Sequence, residues 1–266
     1  MTATAVETLD TPARPRFTAI PLGRVVAVEL RKMFDTRSGF WLLCSIGILA
    51  TLATGAVILF APESELTYEA FATAIGFPIA VVLPIIAVLS VTSEWSQRTG
   101  LSTFTFVPNR GRVITAKAIC AIGVGVVSMV VAAAIGALGN VVGTTIAGVD
   151  TVWNVSLLEL GLIILANVLG LLVGFMLGVL LRNSAAAIVA YFVYSFVLSV
   201  MTELLAGLQD WFADIRPWVD FNYAQAPLFE GSVSVEQWTQ LGVASLFWLV
   251  IPLAVGLRIV MRSEVK

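Results

Sequence analysis

From Leu157 to Leu181 the chain reads LLELGLIILANVLGLLVGFMLGVLL, a run whose only charge, Glu159, stands in its first turn. Crossing about 30 Å of hydrocarbon takes roughly 20 apolar residues at about 1.5 Å each. Only a helix satisfies its own backbone over such a run in lipid, since barrel strands are about ten residues long and alternate. Five more windows share the character: Phe40 to Phe60, Ala70 to Ser93, Val113 to Val142, Ala185 to Ala206 and Trp238 to Leu257. The charge inside them that stands out is Lys117, at one end of the third span. The sequence therefore predicts an all-α, polytopic membrane bundle of six transmembrane helices over residues 40–260.

Composition agrees. Of 266 residues, 59% are apolar and 12% charged, with a mean hydropathy of +0.97; that is too few charges to cover a soluble surface. With no His at all, the chain lacks a His-ligated metal site, a Ser/His/Asp triad and a His proton relay, and no metal site is expected. Cys44 and Cys120 sit inside apolar stretches, where they read as small hydrophobes.

Charge sets the orientation. Six cations precede the first span, Arg98, Arg110, Arg112 and Lys117 follow the second, Arg182 lies between the fourth and fifth, and Arg258, Arg262 and Lys266 follow the sixth. The opposite side holds only Arg216, among many acids. The positive-inside rule makes both termini cytoplasmic in a plasma-membrane protein, and an even number of spans agrees. Residues 1–15 read as a disordered tail, 16–39 as an amphipathic interfacial helix and 261–266 as a short cytoplasmic tail. No removable signal peptide is evident.

Within that first helix Leu22, Val25, Val26, Leu30, Met33 and Phe34 share one arc, with Arg24, Arg31 and Asp35 opposite and Lys32 nearby. Glu29 falls inside the apolar arc and is the misfit: either it snorkels to water, or it pairs with a loop arginine such as Arg110 or Arg112. No span has a charge near its centre, which disfavours ion-coupled transport and voltage sensing. Glu159, Glu203 and Lys117 lie near span ends, where long side chains reach the interface. The polar residues left inside are Asn167, Tyr191, Tyr194, Ser195 and Ser199. They read either as interhelical hydrogen bonds or as a weakly polar lining for a largely apolar substrate.

Ala166, Gly170, Gly174 and Gly178 recur every four residues and form a stripe for close helix packing, against this chain or a second copy. Pro78, Pro84 and Pro252 each remove a helix hydrogen bond and kink their spans. The inner loop from Glu94 to Lys117 is oddly apolar for a connection: Leu101, Phe104, Phe106 and Val107 are followed by Pro108, Arg110 and Arg112. It reads as a knob for a cytoplasmic partner or as a short helix resting on lipid.

Glu29 to Lys32, Ser93-Glu94, Thr99-Gly100, Pro108 with Arg110 and Arg112, and Ala116-Lys117 together resemble the membrane permease subunit of bacterial ABC-2 type transporters. The resemblance covers about residues 28–117; the rest is similar in topology. It implies that Leu101 to Val107 is a coupling helix docking in a separate cytoplasmic ATPase, flanked by Glu94, Thr99, Gly100 and Arg110, with a smaller contact at Arg182 to Ser184. It also implies a permease dimer, of two copies or of this chain with a related permease, with the path at its interface, and cargo moving outward. Short helices dipping into the outer membrane face would then occupy 207–237, where Trp211, Phe212, Trp218, Phe221, Tyr223 and Phe229 lie among acids, as a lid or as interface anchors.

No Gly-Lys-Ser/Thr occurs, so a phosphate-cradling loop is missing. The chain is expected to be no enzyme and to bind no cofactor, with Mg-ATP on the partner ATPase; its other contacts would be membrane lipid, and no nucleic acid is expected. The competing reading is a non-pumping scaffold or channel that recruits a cytoplasmic partner through 94–117.

Overall fold

A computed structural model describes residues 20–96 and 110–262. Thr99, Gly100, Leu101, Phe104, Phe106 and Val107, the tail 1–15 and the last residues of the tail 261–266 lie outside the described residues. Within them the chain is all helical, without a named strand, and six helices are long and apolar enough to cross a membrane. The protein is a multi-pass membrane protein.

The order is α1 (Leu22–Asp35), α2 (Arg37–Phe60), α3 (Tyr68–Ser96), α4 (Arg110–Ala147), α5 (Leu157–Leu181), α6 (Ser184–Leu208), α7 (Asp210–Val219), α8 (Phe221–Gln225) and α9 (Val235–Arg262). The spanning helices are α2 to α6 and α9. Each expected window falls inside one of them. The largest difference is α4, 38 residues from Arg110 to Ala147. At about 1.5 Å per residue it is about 57 Å long, well beyond the roughly 30 Å of a bilayer core.

Local chemistry sets the ends. Ser156 and Glu159 form a capping box on α5: Ser156 Oγ accepts from the Glu159 N–H at 3.2 Å, and Glu159 Oε2 accepts from the Ser156 N–H at 2.6 Å. Glu159 is therefore a cap rather than a free acid reaching for the interface. At the other end Arg182 takes the left-handed conformation, φ 53°, and Asn183 caps α6 through the Ala186 N–H at 3.0 Å. Two residues thus turn α5 back into α6.

Helix α3 is the centre of the bundle, packed by α2, α4, α5 and α6. Ile79, Leu83, Ala87 and Val91 on α3 meet Leu171, Phe175 and Val179 on α5 in one buried core. The close approach is built by glycine: a methyl group at Gly174 would stand 2.5 Å from the Pro84 carbonyl oxygen, and one at Gly178 3.3 Å from that of Val88. The stripe packs within this chain. Gly170 departs from the packing role read for it, since nothing lies within 4 Å of a Cβ built there. The two helices part above the Gly174 crossing, and Gly170 lines the gap.

A second core joins α5, α6 and α9 to the segment after α6. Phe221 and Leu228 are fully buried against Tyr191, Tyr194 and Leu241. Two stretches inside spans are π-helical, Val193–Leu198 in α6 and Leu246–Val250 in α9. Pro252 accounts for the second: it has no N–H for the Trp248 carbonyl, so the ladder slips just before it.

Candidate functional site

Two sites draw together the residues singled out by the sequence. The first lies at the end of the bundle that carries α1 and the close of α9. Glu29 stands one turn below Val25 on the face that α1 turns into the bundle, and both are buried. Its Oε1 is 2.8 Å from Lys32 Nζ and its Oε2 2.5 Å from Lys117 Nζ; Glu94 Oε1 is 3.1 Å from Lys32 and 3.2 Å from Lys117. The four side chains close a ring of alternating charge. Lys117 also donates to the Ser90 carbonyl at 3.0 Å.

This corrects the reading of Glu29, which neither snorkels nor pairs with Arg110 or Arg112. Arg110 donates to the Val260 carbonyl of α9 at 2.9 Å and Arg112 to that of Ile20 at 3.0 Å. Lys117 is corrected too. It does not reach the interface, because two carboxylates and a carbonyl replace water around its ammonium. The apolar arc of α1 is divided: Val25 is buried and Met33 packs against the core, while Leu30 and Phe34 are exposed.

With two acids and two lysines the ring is neutral, which makes the burial of three of its members tolerable. Lys32 is 42% exposed. Burial pulls its pKa down, but the hydrogen bonds and charges of Glu29 and Glu94 outweigh that and leave it raised. The ring fastens α1 to α3 and α4 at the two points where residues 97–109 join the bundle. Arg31 stands exposed outside it. The α5–α6 turn reaches the same end of α3, where Thr92 Oγ1 lies 2.7 Å from Ser184 Oγ, two residues beyond Arg182.

The second site is a cleft of about 220 Å³ between α3, α5 and α6, closed by α8. Asn167, Tyr191, Tyr194 and Ser195 all line it, with Gly170 beside them. No Asp, Glu, Lys or Arg does. Its wall follows from Pro84, which supplies no N–H to the Ala80 carbonyl; Tyr191 donates its hydroxyl there at 3.2 Å. Asn167 Nδ2 donates to the Ile163 carbonyl at 2.9 Å. Tyr194 stands in the π-helical stretch of α6, its ring 5.4 Å from that of Trp248 in the π-helical stretch of α9. Asn222 closes the top, donating to Ser199 Oγ at 2.9 Å and to the Tyr194 carbonyl at 3.3 Å.

Above the cleft Arg216 organises the acidic end. It contacts Glu203 at 2.6 Å and Asp220 at 3.2 Å, and its guanidinium lies 4.3 Å from the Tyr223 ring centre. Thr202 donates to Asp220 at 2.6 Å. Burial lowers the Arg216 pKa, but the bonds and charges of Glu203 and Asp220 prevail and leave it raised. Sequence reasoning passed over this hub. A lone cation on an acid-rich side was the signal for it.

Neither a scan against protein-family models nor a search of curated proteins finds a match to this chain.

Proposed function

We propose that this chain is the membrane-spanning permease subunit of an ATP-driven exporter of the ABC-2 type, working as a dimer with a second permease and powered by a separate cytoplasmic ATPase. The cargo is hydrophobic or amphiphilic: a drug, a lipid or a peptide. The observation that supports this reading is the ring of Glu29, Lys32, Glu94 and Lys117. It joins the leading helix to the two spans from which residues 97–109 emerge.

In a pump of this kind the ATPase pushes on the 97–109 segment. Buried ion pairs with saturated hydrogen bonds hold fixed geometry, so the push moves α1, α3 and α4 as one body. Through the contact of Thr92 with Ser184 the α5–α6 turn is tied to the same body. The cleft shares α3 and α6 with this assembly, so the motion at the basic end reaches the cleft wall. An uncharged interior suits the cargo class, because a charge entering it would lose hydration without a partner.

The test is to tag the protein, extract it gently from its native membrane and identify what accompanies it. The expected result is an equimolar soluble subunit with a Walker A loop, lost when Phe104 and Phe106 are replaced by Asp. Recovery of no ATPase, under conditions that preserve a control complex, overturns the pump and leaves a scaffold or channel.

A further inference from the structure

Four buried side-chain polar atoms among the described residues have no hydrogen-bond partner, and two of them, Asn167 Oδ1 and Tyr194 Oη, belong to residues lining this cleft. Both residues are more than nine-tenths buried. A buried polar atom left without a partner is costly, so two on one wall call for an occupant that supplies what they lack.

We infer that this cleft binds the uncharged, hydroxyl- or amide-bearing head of an amphiphile whose tail lies along the lipid-facing side. Asn167 Oδ1 only accepts, so the head must bring an O–H or N–H donor; Tyr194 Oη takes either an acceptor or a second donor. The lack of a charged side chain on the wall excludes an ionised head. Size points the same way. At about 220 Å³ the cleft far exceeds the roughly 30 Å³ share of one water. It also falls below the roughly 300 Å³ at which pockets enclose a whole drug-sized ligand.

The rim supplies the path for the tail. Phe77 is 71% and Phe196 45% exposed at the mouth of the cleft. Two departures from regular helix meet at this wall, the Ala80 carbonyl freed by Pro84 and the π-helical turn that carries Tyr194, and Gly170 leaves open space beside them. Irregular turns of this kind are enriched at functional sites. The inference deepens the transport reading and rests on it for the cleft's role as a cargo site. Binding itself is tested without any ATPase.

A hydroxylated amphiphile has two sources, a resident glycerolipid and a transported compound. The experiment embeds the full-length protein in phosphatidylcholine nanodiscs with a monoacylglycerol carrying a diazirine near its glycerol head, and maps the crosslinks. A parallel arm carries the same diazirine on phosphatidylglycerol. The expected result is monoacylglycerol labelling concentrated on the peptides around Asn167 and Tyr194. It falls about threefold to tenfold in Asn167→Leu and in Tyr194→Phe, the range set by loss of one hydrogen bond, while labelling of α2 is unchanged.

Tyr194→Phe removes an unpaired hydroxyl, so the empty protein keeps or gains thermal stability and its drop in labelling is not a folding defect; Asn167→Leu also gives up the Nδ2 bond to the Ile163 carbonyl, so its melt is measured beside its labelling. Mass spectrometry of small molecules retained from the native membrane separates the sources. A glycerolipid held by the wild type and lost from both variants makes this a lipid site, and a non-lipid amphiphile makes it a cargo site. Equal labelling of wild type and variants, or equal labelling of these peptides by phosphatidylglycerol, overturns the inference. Failure to recover an ATPase leaves the labelling pattern intact and counts against the pump alone.

Discussion

Replacing Lys117 with Met leaves Glu29 and Glu94 buried with Lys32 as their remaining cation in the ring, and the cluster goes from neutral to a net charge of −1. Lys117 is the inner cation, 5% exposed against 42% for Lys32, so water cannot replace it. Removing one member of a buried pair costs about 3–5 kcal/mol, because the partner charge stays behind. At about 2–4 °C per kcal/mol for a chain of this size, the unfolding midpoint should fall by roughly 6–20 °C.

The local consequence is read at Cys120, which is buried under α1 with its Sγ donating to the Val26 carbonyl at 3.3 Å. In a Cys44→Ser background, maleimide reaches Cys120 only when α1 lifts. Three kcal/mol off that closure raises the labelling rate on the order of 100-fold. Adding Glu29→Gln restores neutrality and should recover part of the loss, a coupling of about 0.5–3 kcal/mol. Labelling that stays slow in Lys117→Met, or a double variant with strictly additive losses, refutes the claim that the ring holds α1.

Four further outcomes follow from other contacts. Because the Lys32 pKa is raised, its contribution is fully present below its ordinary value of 10.5 and is lost only as pH rises through the raised one. Thermal midpoints should therefore be flat from pH 7 to about 10 and then fall, and Lys32→Arg should remove the alkaline step. Tyr191→Phe strands the Ala80 carbonyl and should cost about 1–3 kcal/mol in an unfolding assay, whereas Tyr194→Phe should cost nothing. Gly174→Ala drives a methyl into the Pro84 carbonyl and should cost about 1–3 kcal/mol, while Gly170→Ala should be neutral by the same melt. Arg182→Gly relieves a left-handed residue and should stabilise the protein by about 1 kcal/mol by the same melt.

The spans were legible because lipid imposes one demand, some 20 apolar residues in a row, and six windows met it. Their ends were less so: Arg110 and Ala147 extend α4 into polar sequence that hydropathy discounts. Glu29 was legible as an anomaly and its partner was not. Lys117 is 88 residues away, and nothing local marks which cation an acid will find. The four polar residues now lining one cleft were identifiable by chemistry, since polarity in a span has to be satisfied. The π-helical turns were invisible, because slipping the ladder by one residue changes geometry without changing composition. Pro84 was read as a kink, but its larger effect, a carbonyl taken by Tyr191, depends on a helix more than a hundred positions later.

The 88-residue separation of Glu29 from Lys117 also sets an order of events during synthesis. When α1 leaves the ribosome, the lysine that will bury Glu29 has not been made, and the glutamate must stay hydrated. At about 5–20 residues per second, roughly 4 to 18 s separate the polymerisation of Glu29 from that of Lys117, and the third span must still insert. Until then the leading helix is a tethered segment whose buried acid has no lysine from α4 to meet. Its docking is a late checkpoint, reached only by chains whose first three spans have entered the bilayer in the right sense.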